Sequence, residues 1–396
     1  MTRADLLAAL DAEIDRLTPE LVTFRRDLHQ HPELSWHETR TTAQLVSRLE
    51  QAGLAPKALP QGGIVADVNE REPFVALRAD LDALPVEDRT GDPWASTVPG
   101  VAHACGHDVH TTALLGAGLA LATIAPELPG QVRMLFQPAE EVMPGGALAT
   151  MGAGVLDGAV RIFSVHCDPT IDVGRVGLRE GPLTGAADFL TVELSGSGGH
   201  TSRPHLTEDL TYALGKLVTE LPAVLTRRFD PRAGVSVVWG TVQAGSAANV
   251  IPSSGRASGT VRMLDAVAWA DAERLVTETI GQVLAPYGVT GEVRYVRGVP
   301  PVVNDAGAVA ELSDAVATMV GPDAQVSTTQ SLGGEDFAWY LERVPGAMAR
   351  LGTRTPAGPT YDLHQGDLRI DEGAVAIGAK VLAAAAVGAL ARIGRS

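Results

Sequence analysis

The stretch His110–Glu141, "HTTALLGAGLALATIAPELPGQVRMLFQPAEE", joins a predicted helix to a predicted strand. Its first part is a long apolar run, typical of a buried helix, and "GQVRMLFQP" near its end is a short β-rich run. Three more β-rich runs lie on either side of it: "GGIVADV", "PFVALRAD" and "AVRIFSVHC". Strands that alternate with helices predict an α/β fold with helices on both faces of a sheet. In such sheets functional residues gather just past the strand ends.

The segments on either side of this stretch predict the domain organisation. Apolar residues recur at spacings of three and four over Leu6–Leu28, which predicts a helix. From about Leu183 the pattern becomes strand, helix, strand, strand, helix, strand, and later the first pattern resumes. We therefore predict a catalytic domain in two parts, residues 1–183 and 298–396, interrupted by an inserted α+β domain of residues 184–297.

The composition narrows the class of protein. The chain has 396 residues, of which 45% are hydrophobic, and its net charge is -16. This charge argues against binding to nucleic acid or to an anionic membrane. Two cysteines, Cys105 and Cys167, are too few for a disulfide scaffold. The first residues lack a signal-peptide pattern, and Lys380 interrupts the apolar stretch "GAVAIGAKVLAAAAVGALARIG". We predict that this stretch is a buried helix and that the protein is cytoplasmic.

Several residues able to bind a metal stand beside predicted strand and helix ends. Cys105 and His107 lie two apart in "HACGHD", just before a helix. Alone, they leave open a ligand pair or a small buried cysteine beside a hydrogen-bonding histidine. Glu140 and Glu141 follow a hydrophobic strand, whereas adjacent glutamates on a surface are usually just solvated. If one of them binds a metal, the other can accept a proton from the metal-bound water.

Two more histidines complete a candidate ligand set. His166 ends a strand and His364 lies in the polar loop "TYDLHQGD", and each alone is more often structural. The candidate ligand set therefore has five members: Cys105, His107, Glu141, His166 and His364. A catalytic zinc takes three protein ligands and a water, so five ligands suit two metal ions better than one. The mixture of sulfur, nitrogen and oxygen donors suits zinc, and manganese, cobalt and nickel stay open.

Ten motifs follow one another along nearly the whole chain: "RRDLHQHPELSWHE", "ALRADLDALPV", "HACGHDVH", "FQPAEE", "SVHCDP", "GSGGHTSRPH", "SAANVIP", "GTVR", "GGEDFAWYL" and "LHQGD". In this order they resemble the metal-dependent amidohydrolases, which include hippurate hydrolases, bacterial aminoacylases and plant indole-acetyl-amino-acid hydrolases. These enzymes belong with the carboxypeptidase-G-like dinuclear metallopeptidases. The resemblance implies a three-layer metallopeptidase-like catalytic domain with two divalent metal ions, and an inserted lid or dimerisation domain. It also implies a homodimer or a higher homo-oligomer.

The resemblance also assigns roles to particular residues. The five residues named above match the family's metal ligands. Asp82, in "RADLDALP", matches an acidic residue that orients a metal ligand, whereas for Asp80 we favour an ordinary turn. His200 matches a histidine that polarises the scissile carbonyl, often in the active site of the partner subunit. Asn249 and Arg262 match residues that hold the substrate carboxylate.

The implied reaction is hydrolysis of the amide bond of a small N-acyl amino acid, which gives a carboxylic acid and a free amino acid. A metal-bound water is the expected nucleophile, and Glu140 is the expected general base. Three alternatives stay open: a dipeptidase or carboxypeptidase of the same clan, an inactive metal-binding scaffold, and a thiol enzyme that uses Cys105. The presence of Glu140 and His200 argues against a scaffold, and a metal-bound cysteine is not free to attack.

Overall fold

The computed structural model describes residues 1–393. Their helices, numbered in chain order, are α1 (Arg3–Gln30), α2 (Thr39–Gln51), α3 (His107–Thr123), α4 (Ala147–Gly152), α5 (Leu210–Arg228), α6 (Ala266–Leu284), α7 (Ala306–Met319), α8 (Ala338–Leu341) and α9 (Gly373–Ile393). Their strands are β1 (Lys57–Ala58), β2 (Ile64–Val68), β3 (Phe74–Asp80), β4 (Gln131–Gln137), β5 (Ala159–Asp172), β6 (Val176–Leu178), β7 (Gly181–Pro182), β8 (Ala186–Ser195), β9 (Gly199–His200), β10 (Ser236–Ala244), β11 (Val250–Ile251), β12 (Ser254–Met263), β13 (Thr290–Val299), β14 (Val303–Asn304), β15 (Gln325–Ser327) and β16 (Gly346–Arg354).

These elements divide into two compact units. The first consists of Met1–Gly181, Val303–Thr329 and the described residues from Asp336 onward, and the second consists of Pro182–Val302 and Gln330–Glu335. The segment Gln330–Glu335 lies outside the inserted domain as the sequence pattern delimits it. It joins the second unit through backbone hydrogen bonds that the sequence does not reveal. The Ser331 amide donates to the Leu183 carbonyl at 3.0 Å, and the Gly185 amide donates to the Gly333 carbonyl at 3.2 Å.

The first unit is built on an eight-stranded sheet in the order β1-β2-β4-β3-β5-β16-β6-β15. Its central pairs, β4 with β3, β3 with β5, and β5 with β16, are all parallel. Alternate side chains such as Val75, Phe163 and Leu351 face one side of the sheet, where α1, α3, α7 and α9 form the main core. On the other side lie Arg78, whose guanidinium is 5.8 Å from the ring of Phe337, and the short helices α4 and α8. The predicted α/β fold is confirmed.

Helix α9 is the central helix of this core. Its stretch Gly373–Arg392 has the length and the mean hydropathy, 2.0, of a membrane-spanning helix, but 78% of that stretch is buried inside the protein. Alanine and valine residues of α9 pack against α1, α3 and α7. The apolar stretch is therefore a core helix, as the sequence predicts, because a helix that is apolar all round is one that is buried on every side.

The second unit contains β8, β9, α5, β10, β11, β12, α6 and β13 in chain order, so the short strands β9 and β11 add to the pattern that the sequence predicts. An antiparallel sheet runs in the order β10-β12-β8-β13. Inward side chains of β8, such as Leu190, Val192 and Leu194, are buried, and α5 and α6 pack on the sheet. A separate small ladder pairs β9 with β11 and sets His200 opposite Val250.

Candidate metal centre and active site

The candidate site lies where the parallel strands of the first unit end. Strand β3 ends at Asp80, which pairs with Gln137, the last residue of β4. Asp82 follows two residues after β3, while Glu140 and Glu141 follow shortly after β4. Because the carboxyl ends of parallel strands meet at one edge of the sheet, these acidic residues are brought together there.

All five predicted ligands meet here, although β5 continues to Asp172 and does not end at His166 as the sequence predicts. The donor atoms of Cys105, His107 and His166 lie within 4.8 Å of one another, and so do those of Cys105, Glu141 and His364. The Cys105 Sγ is 3.5 Å from the Nε2 of His166. The Glu141 Oε1 is 3.7 Å from the Nε2 of His107 and 3.5 Å from the Nε2 of His364. Residues far apart in the sequence thus form one continuous cluster of donors.

A glycine turn places Cys105 and His107 in this cluster. Gly106 has φ +86°, a left-handed conformation that side chains disfavour, and α3 begins directly after it. A Cβ atom at Gly106 would lie 2.8 Å from the Sγ of Cys167, so the close approach also requires glycine. The loop that carries His364 is tied to the same turn, because the His364 amide donates to the Ala104 carbonyl at 2.7 Å.

Two carboxylates hold the turn that carries Glu140 and Glu141. Asp82 accepts the backbone N–H of each of these glutamates, at 2.9 Å in both cases. Glu38 is 4% exposed, and its Oε1 accepts the N–H of Ala139 at 2.7 Å. Ala139 itself has φ +56°, an unfavourable conformation for a residue with a Cβ. Three consecutive amides are therefore fixed by side chains from other parts of the chain.

The segment "ELSWHE", Glu33–Glu38, supplies part of this support, although the sequence assigns it no role. The hydroxyl of Ser35 donates to Asp82 at 2.6 Å, and Ala83 donates its N–H to the carbonyl of Glu33 at 2.8 Å. Sequence reasoning missed both Ser35 and Glu38. No periodicity or spacing connects them with Asp82 or Ala139, so only the tertiary structure reveals the contact.

Asp80 is not the ordinary turn residue that the sequence favours. Asp80 is fully buried, forms an ion pair with Arg78 at 2.7 Å, and accepts a hydrogen bond from the Nδ1 of His110 at 2.7 Å. The Nε2 of His110 accepts the N–H of Cys167 at 2.8 Å, so both nitrogens of His110 are engaged. His110 is therefore a structural neighbour of the candidate ligands. Arg78 also pairs with Asp336 at 2.7 Å, which anchors Asp80 inside a buried ionic network.

The electrostatics of the cluster favour positive charge at its centre. Burial opposes the charged form of His107, but Asp80, Asp82 and Glu141 outweigh burial and raise its pKa to about 10. Burial, followed by Glu141 and Glu140, raises the pKa of the Cys105 thiol well above its ordinary value. These shifts share one cause, an excess of negative charge in a buried space.

His166 is held in its neutral form. Burial, then the nearby His110 and Arg350, lower the pKa of His166 well below its ordinary value. Its Nδ1 is 2.8 Å from the carbonyl oxygen of Cys167 and donates to it, which leaves the lone pair of Nε2 directed at the cluster. A backbone carbonyl that fixes the tautomer in this way is typical of metal-binding histidines.

The residues of the cluster fit divalent metal ions. Neither ring nitrogen of His107 makes a hydrogen bond within residues 1–393, and neither does the buried Oε1 of Glu141. Buried polar atoms that lack partners are costly, and a cation among them would satisfy them. The donor set of one thiol, three imidazoles and a carboxylate is one that zinc and related ions accept.

Three predicted site residues belong to the second unit. His200 is exposed on β9, and Asn249 is exposed beside β11, where its carbonyl accepts the N–H of Thr201 at 3.3 Å. Arg262 lies on β12 and donates from Nη1 to the Leu332 carbonyl at 2.5 Å. The predicted contacts of His200, Asn249 and Arg262 with substrate stay predictions.

An α/β unit whose strand ends gather five metal-ligand side chains beside a further glutamate has the features of a metal-dependent hydrolase. The model of peptidase family M20/M25/M40 matches residues 76–387, and the chain belongs to this family. N-acetylcysteine deacetylase of Bacillus subtilis is 37% identical over 371 residues, which cover 93% of this chain and 96% of that protein.

Two further comparisons describe relatives of the chain. A crystal structure from Bacillus subtilis, described as a dinuclear metal binding peptidase from the M20 family, has a TM-score of 0.84 and 34% sequence identity, covering 95% of this chain and 99% of that chain. A longer protein of Rhodococcus jostii, whose name assigns it to the glutamate–cysteine ligases, is 50% identical over 96% of this chain. The chain spans 48% of that relative's length. These comparisons identify the chain as an M20 hydrolase.

Proposed function

We propose that the protein hydrolyses the amide bond of N-acyl amino acids with two divalent metal ions. The observation that carries this proposal is the meeting of the Cys105, His107 and His166 donors with those of Glu141 and His364, in two groups that each lie within 4.8 Å. A deacetylase of an N-acylated amino acid among the relatives supports the substrate class.

The ligands Cys105, His107, Glu141, His166 and His364 would hold the metal ions. When bound, these ions supply a water of lowered pKa and a Lewis acid for the substrate carbonyl. Glu140 takes a proton from the attacking water and delivers it to the leaving amine. Asp82 fixes the backbone of Glu140 at 2.9 Å and lies 3.5 Å from the Nδ1 of His107, so it orients both the base and a ligand.

The second unit supplies the remaining proposed roles. His200 donates a hydrogen bond to the scissile carbonyl and stabilises the negative charge that develops on its oxygen. Arg262 and Asn249 bind the carboxylate of the amino-acid half. The resemblance on which these roles rest also implies a homodimer or higher homo-oligomer, which analytical ultracentrifugation would measure directly.

The primary test is turnover of N-acetyl amino acids by purified protein loaded with zinc, manganese, cobalt or nickel. We expect release of free amino acid that a chelator abolishes and that re-added metal restores. Two metal ions per chain, measured by mass spectrometry of the metal content, are expected in the active form. Activity on dipeptides but not on acylated amino acids would replace the proposal with a peptidase, and activity that survives complete chelation would contradict a metal mechanism.

A substitution separates the base from the ligands. Glu140→Gln should lower kcat about 100- to 10,000-fold, because it removes a general base, while the metal content stays at the wild-type level. Glu342→Gln, at an exposed position, is the matched control and should leave both quantities unchanged. If Glu140→Gln kept near-normal turnover, Glu140 would not be the base.

A further inference from the structure

Arg350 is a largely buried arginine that lies beside the candidate metal centre and has no hydrogen-bond or ion-pair partner in the described residues. It lies on β16 and is 9% exposed. Its guanidinium makes no hydrogen bond and no ion pair with any residue in the described range 1–393. Among the described residues, two other arginines are buried to this degree, and both are paired: Arg25 with Asp108 at 2.7 Å, and Arg78 with Asp80 and Asp336 at 2.7 Å each. Arg350 therefore differs from the structural arginines of the same unit.

The strand register places Arg350 next to a proposed metal ligand. Arg350 is the parallel partner of His166 on the neighbouring strand β5, so their side chains leave the sheet on the same face. On the other side its partner is Gly177 of β6. A Cβ atom at Gly177 would lie 3.1 Å from the Cβ of Arg350 and 2.8 Å from that of Thr328. Arg350 is thus confined between His166 and the Gly177–Thr328 side of the sheet.

Two buried aspartates near this face, Asp80 and Asp336, already have partners. Asp80 pairs with Arg78 and His110, and Asp336 accepts from Arg78 and from the side-chain amide of Gln137 at 2.7 Å. A charge at a largely buried position without a counter-ion costs free energy, so such a position suits a ligand that neutralises the charge. A planar guanidinium matches a carboxylate, with which it forms two parallel hydrogen bonds.

We propose that Arg350 binds a carboxylate of the substrate, so that the preferred substrates are N-acyl amino acids that carry a second carboxylate. This inference rests on the proposed function, in which Arg262 and Asn249 bind the first carboxylate, the one common to all amino acids. The second carboxylate belongs either to the side chain of an acidic amino acid or to a dicarboxylic acyl group.

Two matched substrate pairs distinguish these sources. N-acetyl-glutamate is compared with N-acetyl-glutamine, and N-succinyl-alanine with N-succinamoyl-alanine, because each pair differs only in replacing a carboxylate by an amide. We expect the metal-loaded wild-type enzyme to favour the charged member of one pair by about 10- to 150-fold in kcat/KM, the value of a hydrogen bond to a charged group. The pair that shows the preference identifies the half of the substrate that Arg350 contacts.

Arg350→Met should reduce this preference to near unity. Arg354→Met is the matched control, because Arg354 lies on the same strand and is half-exposed in an ion pair with Asp172 at 2.6 Å. The control should keep the wild-type preference. Titration calorimetry of the holoenzyme with glutamate against glutamine, or with succinate against succinamate, repeats the comparison without turnover and should show the same loss in Arg350→Met.

Thermal unfolding separates a binding role from a structural one. Because Arg350 has no partner in the folded protein, Arg350→Met should leave the Tm unchanged or raise it, whereas loss of a structural arginine would lower the Tm. The inference is overturned if Arg350→Met keeps the charge preference, if it lowers the Tm by several degrees, or if the wild type favours neither charged substrate. If the enzyme hydrolysed none of the four compounds, the proposed function itself would be contradicted.

Discussion

Glu38→Ala tests how the turn that carries the proposed base is held in place. Glu38 is far from this turn in the sequence, yet its carboxylate accepts a hydrogen bond from the N–H of Ala139 at 2.7 Å. Ala139 is fully buried and has φ +56°. Removal of the acceptor leaves a buried N–H unpaired in a turn that is already strained, so the turn should open more often.

The structure gives the size of this effect. An unpaired buried N–H costs about 1–3 kcal/mol, and the strained conformation of Ala139 adds to the tendency of the turn to leave its native form. Since about 1.4 kcal/mol corresponds to a factor of ten, amide hydrogen exchange in residues 139–141 should accelerate about 5- to 150-fold. The base at Glu140 moves with the turn, and kcat should therefore fall about tenfold or more.

Hydrogen–deuterium exchange with peptide-level mass spectrometry measures this locally. Burial, with a further contribution from Asp82, raises the pKa of Glu38 to about 7, so the comparison is best made near pH 8, where the carboxylate is ionised. Glu38→Gln keeps an acceptor oxygen of the same reach and should restore slow exchange. Glu50→Ala, at an exposed position on α2, controls for loss of a glutamate from this region.

Two results would refute the reasoning. Exchange at residues 139–141 that is equally slow in wild type and Glu38→Ala would mean that Asp82 alone holds the turn. Equal acceleration across the whole first unit would mean that Glu38 stabilises the fold in general and has no particular effect on the turn.

Two further substitutions test the packing of the first unit. Gly106→Ala should lower the free energy of unfolding by about 1–3 kcal/mol, because Gly106 has a positive φ and an added Cβ would contact Cys167. In a double-mutant cycle measured by denaturant unfolding, Cys167→Ala should recover part of that loss. Losses that simply add in the double mutant would contradict the contact. Burial opposes the charge of Lys380, but Asp11 and Asp15, each 2.7 Å away, outweigh it and raise its pKa. The stabilisation from Lys380 is therefore complete below its ordinary pKa of 10.5 and is lost as the pH rises through the raised value. Lys380→Met should remove this alkaline decrease in Tm, and an unchanged profile would contradict it.

The ligands of the candidate centre could be predicted from the sequence for a simple reason. Glu141 stands just after a buried strand, and His166 lies on β5 two residues beyond Ser164, the partner of Arg78, close to where β3 ends. Neighbouring parallel strands end at one edge of a sheet. Side chains with metal affinity at such positions are therefore brought together whatever the details of packing. His364 is the exception, because it lies in a polar loop and no strand end or helix start predicts its position.

Asp80 and Glu38 show where sequence reasoning failed. Arg78 and Asp80 are two apart on a strand, so they share a face, and this spacing could have predicted their ion pair. No such signal exists for Glu38, because its contact with Ala139 joins two loops whose approach depends on the whole sheet. The segment Gln330–Glu335 joined the second unit through backbone hydrogen bonds, which leave no mark on residue type.

The position of α9 has a consequence for how the protein is made. The second unit is mostly one continuous stretch, Pro182–Val302, whereas the core of the first unit requires α9, which follows every other element in the chain. During translation the inserted unit therefore leaves the ribosome before α9 does, and until α9 is made, the apolar surface of α1 and α3 that packs against it stays uncovered. A chain that stops before Gly373 would leave this apolar surface exposed, and exposed apolar surface favours aggregation.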